Sequence, residues 1–251
     1  MSRDDPVAAV RMHTRRELPK RFYENAEIIE REEFFHLRLD GRLALSPGRN
    51  ALVVTEPALA KALCAEWQAQ SEHIDPAAMP VTRLVNTALD GVKGNEGAIC
   101  ADILAYAGSD LLCYRAGEPQ GLVERQRALW DPVLAWAERL LSVRFKLAEG
   151  IVHVAQPREI PIAVESKLAA YADPFALTGL SMATSLTGSA LLALAVADGF
   201  LAPDDAWRAA HVDEDWNISQ WGEDAEAAER RANRHRDFVA AMIALGRLIS
   251  L

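Results

Sequence analysis

Residues 35–45 have the sequence FHLRLDGRLAL, which is the pattern of a β-hairpin. Apolar side chains alternate with polar ones on both sides of Asp40-Gly41, and Asp-Gly is a preferred two-residue turn between antiparallel strands. A further short strand is predicted over residues 51–54. The segment from Phe22 to Thr55 therefore predicts a small antiparallel sheet.

The sequence takes on a helical character after Thr55. Thr55 is a favourable N-cap residue, Pro57 is tolerated in the first turn of a helix, and apolar residues then recur at helical spacing. Only residues 143–146 interrupt this character, and this strand-like segment is expected to pair back on the small sheet. Helices are predicted over residues 56–70, 80–92, 95–107, 121–142, 158–172, 176–197, 203–220 and 223–248. The expected fold class is α+β, with a small N-terminal antiparallel β domain (residues 1–55) and a larger all-α domain (residues 56–251).

The chain is acidic, with a formal net charge of −9 over 251 residues. Nucleic acids and anionic membranes attract basic surfaces, so neither is an expected partner. The longest apolar run, residues 190–196, is much shorter than the roughly 20 residues that span a bilayer, and it indicates a buried helix. We therefore expect a soluble monomer with no membrane insertion.

The three cysteines and the N-terminus indicate the compartment. The chain has an odd number of cysteines, and they show no paired spacing motif: Cys64, Cys100 and Cys113. This pattern favours a reducing environment over a disulfide framework. Asp4 and Asp5 argue against a secretory signal. The bacterial cytoplasm is the expected location, and the mitochondrial matrix, reached with a short leader, is the alternative.

The sequence carries none of the common catalytic motifs. It contains no G-x-x-x-x-G-K-[ST] phosphate loop, no G-x-S-x-G and no H-E-x-x-H. Its acidic clusters lack the spacing of a calcium loop. We therefore expect no enzymatic activity, no cofactor, no catalytic residue and no metal site.

One face of the helix predicted over residues 80–92 is polar but carries few of the long, mobile side chains of solvated faces. Such a face indicates fixed hydrogen bonds, either to neighbouring helices or to a partner. The face consists of Thr82, Arg83, Asn86, Thr87 and Asp90.

A small-ligand enzyme or binding protein is the alternative function that these polar residues allow. Its site would combine Arg83, Asn86 and Asp90 with Asp110 and Arg115. The structural alternative is that Asp110 caps a helix end or pairs with Arg83 or Arg115. Separately, Trp67 and Tyr114 are expected to serve packing, Trp67 in the core or between helices and Tyr114 between the two parts of the chain.

Tryptophans alternate with carboxylates between residues 207 and 224. In a single helix, Trp207, His211, Ile218 and Trp221 would form an apolar stripe with Glu214 inside it. One interpretation pairs Glu214 with an arginine of a neighbouring helix. The other places Glu214 and the tryptophans on a surface that another protein covers.

Many linked motifs, in order from about residue 20 to 245, resemble the assembly chaperones of the ATP synthase catalytic head, of the type called mitochondrial assembly factor 2. The motifs include Lys20-Arg21-Phe22-Tyr23, Leu39-Asp40-Gly41-Arg42, Arg49 to Val54, Glu66-Trp67, Ile74-Asp75-Pro76, Met79 to Leu84, Asn86 to Asp90, Ser109 to Arg115, Trp130-Asp131-Pro132, Leu177-Thr178-Gly179 and Trp221-Gly222-Glu223-Asp224.

The resemblance implies a non-enzymatic chaperone that binds the free alpha subunit of the F1 sector and prevents its aggregation until a beta subunit takes its place. It also implies no nucleotide or metal, and the same two-part fold. The family's important acidic position matches Asp213 or Glu214. The expected partner-binding residues are Asp213, Glu214, Trp216, Trp221, Glu223 and Asp224.

Overall fold

The computed structural model describes residues 18–150 and 154–247. Its N-terminal part is an antiparallel sheet with β2 at the centre. Strand β1 pairs with one side of β2, and β3 and β4 pair with successive parts of the other side. The strands are β1 (Ala26–Arg31), β2 (Phe34–Leu39), β3 (Arg42–Leu43) and β4 (Val53–Val54).

Two of the turns of this sheet are two residues long. Asp40 and Gly41, with φ of 47° and 76°, connect β2 to β3 and confirm the predicted hairpin. Glu32 and Glu33, with φ of 51° and 68°, connect β1 to β2. Positive φ at both central residues gives these turns a twist that matches the twist of the flanking strands.

Ten helices follow the sheet in the described part of the chain, and they confirm the predicted α+β class. They are α1 (Pro57–Gln68), α2 (Pro80–Thr87), α3 (Glu96–Gly108), α4 (Gln120–Leu141), α5 (Glu159–Leu168), α6 (Pro174–Thr187), α7 (Ala190–Ala197), α8 (Pro203–Ala210), α9 (Val212–Trp221) and α10 (Ala225–Ala244). Helix α2 continues as a π-helical turn, Ala88–Val92. Side chains of the sheet and of the helices share one continuous core, and the division into domains at Thr55 stays a prediction.

The structure corrects four local predictions. Helix α1 has Glu56, not Thr55, at its N-cap. The helix predicted over 176–197 is broken at Gly188, which has a φ of 68°, and that predicted over 203–220 is broken at His211. Residues 143–146 form no strand; residues 148–149 pair in parallel with residues 114–115 instead, as strands β6 and β5, away from the first sheet.

Helix α7 lies at the centre of the helical part. All eight of its residues are buried, as the apolar run predicts, and it packs against α3, α4, α6 and α8. Over residues 18–150 and 154–247, none of the helices combines the length and apolar character needed to cross a bilayer.

Helices α6 and α10 approach each other closely at Gly179. A Cβ at this position would lie 2.9 Å from the Ala241 carbonyl oxygen and 3.1 Å from the Ala244 Cβ. Because both neighbours belong to a helix that packs along α6, neither moves away cheaply. Only glycine allows this separation of the two helices.

We expect Gly179→Ala to lower the free energy of unfolding by about 1–3 kcal/mol through overpacking. The matched control is Gly97→Ala in α3, where no atom lies within 4 Å of the added Cβ. The control should raise stability by about 0.4–1 kcal/mol, because alanine at a compatible backbone conformation lowers the conformational entropy of the unfolded chain. Urea unfolding measures both, and equal effects of the two changes would contradict the close approach.

Candidate functional site

The predicted apolar stripe of residues 207–221 is divided by the break at His211. Trp207 and His211 are buried, and the Trp207 ring packs 5.2 Å from the Phe238 ring of α10. The His211 Nδ1–H donates to the Trp207 carbonyl oxygen at 2.8 Å, and burial lowers the pKa of His211. This half of the stripe therefore belongs to the core, whereas Trp221 is 86% exposed.

Three consecutive carboxylates at the start of α9 have different surroundings. Asp213 accepts a hydrogen bond of 2.8 Å from the amide of Gln126, a buried side chain of α4. Asp215 pairs with Arg231 of α10 at 2.5 Å. The Glu214 carboxylate has no hydrogen-bond or ion-pair partner within the described ranges. The predicted pairing of Glu214 with an arginine is therefore wrong, because the arginine of the neighbouring helix pairs with Asp215 instead.

The two tryptophans of α9 also have different surroundings, because one is packed against α4 and the other is exposed. The Trp216 ring packs so closely on α4 that a Cβ at Gly121 would lie 2.7 Å from it, and the Arg125 guanidinium lies 4.8 Å from its centre. Trp221 ends the helix and projects into solvent, and Gly222, with a φ of 86°, turns the chain beyond it. Trp216 fixes α9 on α4, and Trp221 is free to contact a partner.

The two remaining predicted partner-binding residues follow the turn. Glu223 is exposed, and its carboxylate forms no hydrogen bond or ion pair in the part of the chain that the structure describes. Asp224 caps α10 by accepting a 2.8 Å hydrogen bond from the Ala227 N–H. The candidate surface therefore consists of Glu214, Trp221 and Glu223, supported by Asp213, Trp216 and Asp224.

The polar face of α2 connects elements inside the protein. Arg83 pairs with Asp237 of α10. Asp90 lies in the middle of the π-helical turn and accepts hydrogen bonds of 2.6 to 2.7 Å from Ser46, Gly48 and Asn50, and these bonds lower its pKa. Asp90 therefore holds the loop after β3 against the helical part. Its hydrogen bonds are internal ones, which is one of the two roles predicted for the polar face.

Asp110 is fully buried and caps α7. Its carboxylate accepts hydrogen bonds from Leu112 N–H at 3.1 Å, from Ser189 Oγ at 2.7 Å and from Leu191 N–H at 3.0 Å. Desolvation outweighs these bonds and raises the pKa of Asp110 to about 6. The predicted cap is confirmed, and the predicted pairing with Arg83 or Arg115 is wrong.

The residues of the predicted small-ligand site are dispersed. Arg115 donates to the Leu112 carbonyl oxygen at 2.8 Å, pairs with Asp131 at 2.7 Å and lies over the Trp130 ring. Asn86, on α2, has a buried side-chain oxygen with no partner among the described residues. Because Arg83, Asp90, Asp110 and Arg115 each bond to different elements, these residues form no common site. Residues 18–150 and 154–247 contain no cluster of three or more side chains suited to a metal ion.

Trp67 packs where α1 meets the N-terminal segment. Its ring centre lies 5.5 Å from that of Tyr23, whose hydroxyl donates to the Trp67 carbonyl oxygen at 2.6 Å. Trp67 is half-buried and lines a cleft of about 510 Å³ beside Phe22 and Leu43, which are 72% and 47% exposed. This apolar cleft was not predicted from the sequence, although Leu43 and Leu45, two residues apart, are its apolar signal.

Comparison with known proteins identifies the family. The model of the ATP12 chaperone protein family matches residues 20–138. A candidate chaperone from Agrobacterium tumefaciens has 48% sequence identity and a TM-score of 0.86, and the match covers 98% of this chain and 92% of that one. The chain belongs to the ATP12 chaperone family.

Two further solved structures support the assignment. Atp12 from Paracoccus denitrificans and an aspartate-to-lysine mutant of the same protein each have 34% identity and a TM-score of 0.81, covering 91% of this chain and 97% of theirs. The family and these neighbours are chaperones, not enzymes. The resemblance noted from the motifs is thereby confirmed.

The different surroundings of Asp213 and Glu214 predict different effects on stability. Asp213→Ala leaves the buried Gln126 amide without its acceptor and should lower the free energy of unfolding by about 1–2 kcal/mol. Glu214→Ala should change it by less than about 0.5 kcal/mol. Both residues occupy the first turn of α9, so each is the other's control. A larger loss for Glu214→Ala in urea unfolding would contradict these roles.

Asp110 predicts a specific pH dependence. A folded-state pKa of about 6, above the usual 3.8, means that its contribution to stability is complete below about pH 4 and is lost as the pH rises through 6. Wild type should therefore exceed Asp110→Asn in unfolding free energy by more at about pH 4.5 than at about pH 7.5. Denaturant unfolding of both at each pH measures this difference, and a constant difference would contradict the prediction.

Proposed function

We propose that this protein binds the free alpha subunit of the F1 sector of ATP synthase and prevents its aggregation before it assembles with beta. Membership of the ATP12 chaperone family and the match to Atp12 structures support this proposal. The protein acts as a monomer in the bacterial cytoplasm. It needs no cofactor, because covering a client surface requires contacts and no chemistry.

The observation that carries the proposal is the exposure of Trp221. This side chain is 86% exposed at the tip of α9, and Trp216 and the Asp213–Gln126 hydrogen bond hold that helix rigidly on α4. A subunit awaiting assembly exposes apolar surface that is buried later. A rigidly held tryptophan is well suited to such a surface, because aromatic residues dominate the energy of protein interfaces.

The carboxylates around Trp221 supply selectivity. Glu214 and Glu223 have no bonding partner within the described residues, so both are available to arginines or lysines of the client. The net charge of −9 adds a long-range attraction to basic surfaces. Charged groups at the rim of an interface govern the rate of association and the choice of partner more than the affinity.

Co-expression with the alpha subunit of the same organism, in the absence of beta, tests the proposal. We expect alpha to remain soluble and to co-elute with the chaperone at one-to-one stoichiometry on size exclusion. Aggregation of alpha at the same level with and without the chaperone would refute it. Co-expression with beta alone is the specificity control and should give no complex.

Variants of the candidate surface locate the binding site. We expect Trp221→Ala to weaken alpha binding by about 2 kcal/mol or more, roughly thirtyfold, without a change in melting temperature. Ile162→Ala, which shortens another exposed apolar side chain on α5, should bind normally because it is 66% exposed on a different element. Normal binding by Trp221→Ala would place the client elsewhere.

The charge of the surface is tested separately. Glu214→Lys should reduce co-purified alpha severalfold and leave the circular dichroism spectrum unchanged, because repulsion replaces attraction at the rim. Asp102→Lys, on α3, makes the same change in net charge at an exposed position away from α9. Equal loss in the two variants would attribute the effect to net charge alone.

A further inference from the structure

Among the described residues, the outer edge of β1 is unpaired at Ile28 and Glu30. Asp40 N–H donates to the Asn25 carbonyl oxygen at 2.9 Å, so odd-numbered positions here face β2. The Ala26 carbonyl oxygen faces away and accepts from Gln68 of α1 at 2.9 Å. The alternation of an antiparallel ladder then directs the N–H and C=O groups of Ile28 and Glu30 outward as well.

The bonding of β2 independently supports this assignment. Leu37 N–H donates to Leu52 and the Leu37 carbonyl oxygen accepts from Ala44, so the Leu37 backbone faces away from β1. Its partner in the register, Ile28, must therefore direct its own backbone groups outward. Within residues 18–150 and 154–247, no strand pairs with this side of β1.

A groove follows the free edge. It has a volume of about 530 Å³ and lies between β1 and one face of α1. Ile28 and Phe35 line the sheet side, and Ala60, Cys64 and Ala65 line the helix side. The small helix residues leave room for apolar side chains of a chain that lies along β1. An exposed edge beside an apolar groove has the features of a site for strand addition.

The charges along the edge favour a basic occupant. Exposed glutamates occupy positions 27, 30, 32 and 33, and the nearby cations include Arg31, Lys61 and Arg38, which lies opposite Glu27 on β2. A second copy of this chain would bring the same acidic edge and a further net charge of −9. Charge complementarity therefore favours a segment with arginine or lysine beside its apolar residues.

We infer that β1 and this groove bind an extended segment of the client, which adds to the sheet as a fifth strand. Alternate apolar side chains of that segment enter the groove, and basic residues flank them. The inference rests on the proposed function and adds a second binding site to the surface around Trp221. Pairing with β1 would also occupy an unpaired strand of the client, which is the kind of segment that aggregates.

Proline at position 30 tests the edge. Glu30→Pro removes an outward N–H and none of the β1–β2 hydrogen bonds, and proline is tolerated on edge strands in this orientation. Glu30→Thr, which loses the same charge and keeps the N–H, is the matched control. With differently tagged wild type and variant competing for limiting alpha subunit, we expect about a tenfold preference over Glu30→Pro and less than threefold over Glu30→Thr.

A second pair of variants tests the groove without altering the strand. Ala65→Phe fills the groove from the exposed side of α1 and should also lose the competition by about tenfold. Ala69→Phe adds the same side chain at the exposed C-cap of that helix, outside the groove lining, and should compete equally with wild type. Melting temperatures identify any variant that loses binding through unfolding.

Photo-crosslinking identifies the occupant. With benzoylphenylalanine at Lys61, we expect crosslinks to one segment of alpha that has alternating apolar residues and flanking basic ones. Two results would overturn the inference: crosslinks between two copies of this chain, or competition by both Glu30→Pro and Ala65→Phe that equals that of wild type. If alpha stays soluble, either result leaves the proposed function standing. If wild type fails to keep alpha soluble, the proposed function fails first, and the inference fails with it.

Discussion

The buried carboxylate of Asp110 satisfies the start of the helix that lies at the centre of the helical part. Helix α7 is apolar on all sides and completely buried, so water cannot reach the N–H groups at its start. Asp110 accepts from Leu191 N–H and from Ser189 Oγ, which itself accepts from Leu192 N–H. Burial disfavours the charged form of this carboxylate and raises its pKa, and the hydrogen bonds that it accepts offset part of that cost while they satisfy the start of the helix.

The position of the candidate surface depends on that core. Helix α4 packs on α7, and α9 packs on α4 through Trp216 and Asp213. These contacts hold the base of α9 and leave its tip, with Trp221, in solvent. The same division recurs in the N-terminal part, where Asp90 bonds the loop after β3 to the turn that follows α2, while within the described residues no strand pairs with the outer edge of β1. In both places, internal contacts hold an element in position while one part of it, the Trp221 side chain or the outer edge of β1, faces solvent.

The two surfaces would act on a client in different ways. An exposed tryptophan surrounded by carboxylates offers a compact apolar anchor whose partners are selected by charge. A free strand edge offers backbone hydrogen bonds that do not depend on the sequence of the client, with selectivity from the groove. Reversible covering of an unassembled subunit benefits from both, since a competing subunit can displace two moderate contacts one at a time.

Most secondary structure could be predicted from local sequence patterns. The Asp40-Gly41 turn, the alternation along β2 and the spacing of apolar residues in α1 each arise from interactions within a few residues. The breaks at Gly188 and His211 were missed, because apolar residues on both sides of each break keep a helical pattern. At Gly188 the cap by Asp110 comes from a residue 79 or 81 positions away from its bonded partners.

The sequence by itself determined the α+β class, the hairpin, the family resemblance and the presence of tryptophans and carboxylates near residue 214. Only the tertiary structure decided their roles. Asp213, Glu214 and Asp215 are consecutive residues of similar chemistry, yet α4 provides a partner for the first and α10 provides one for the third, whereas Glu214 has no hydrogen bond or ion pair among the described residues. Successive side chains of a helix point about 100° apart, so their roles depend on which helices pack around them.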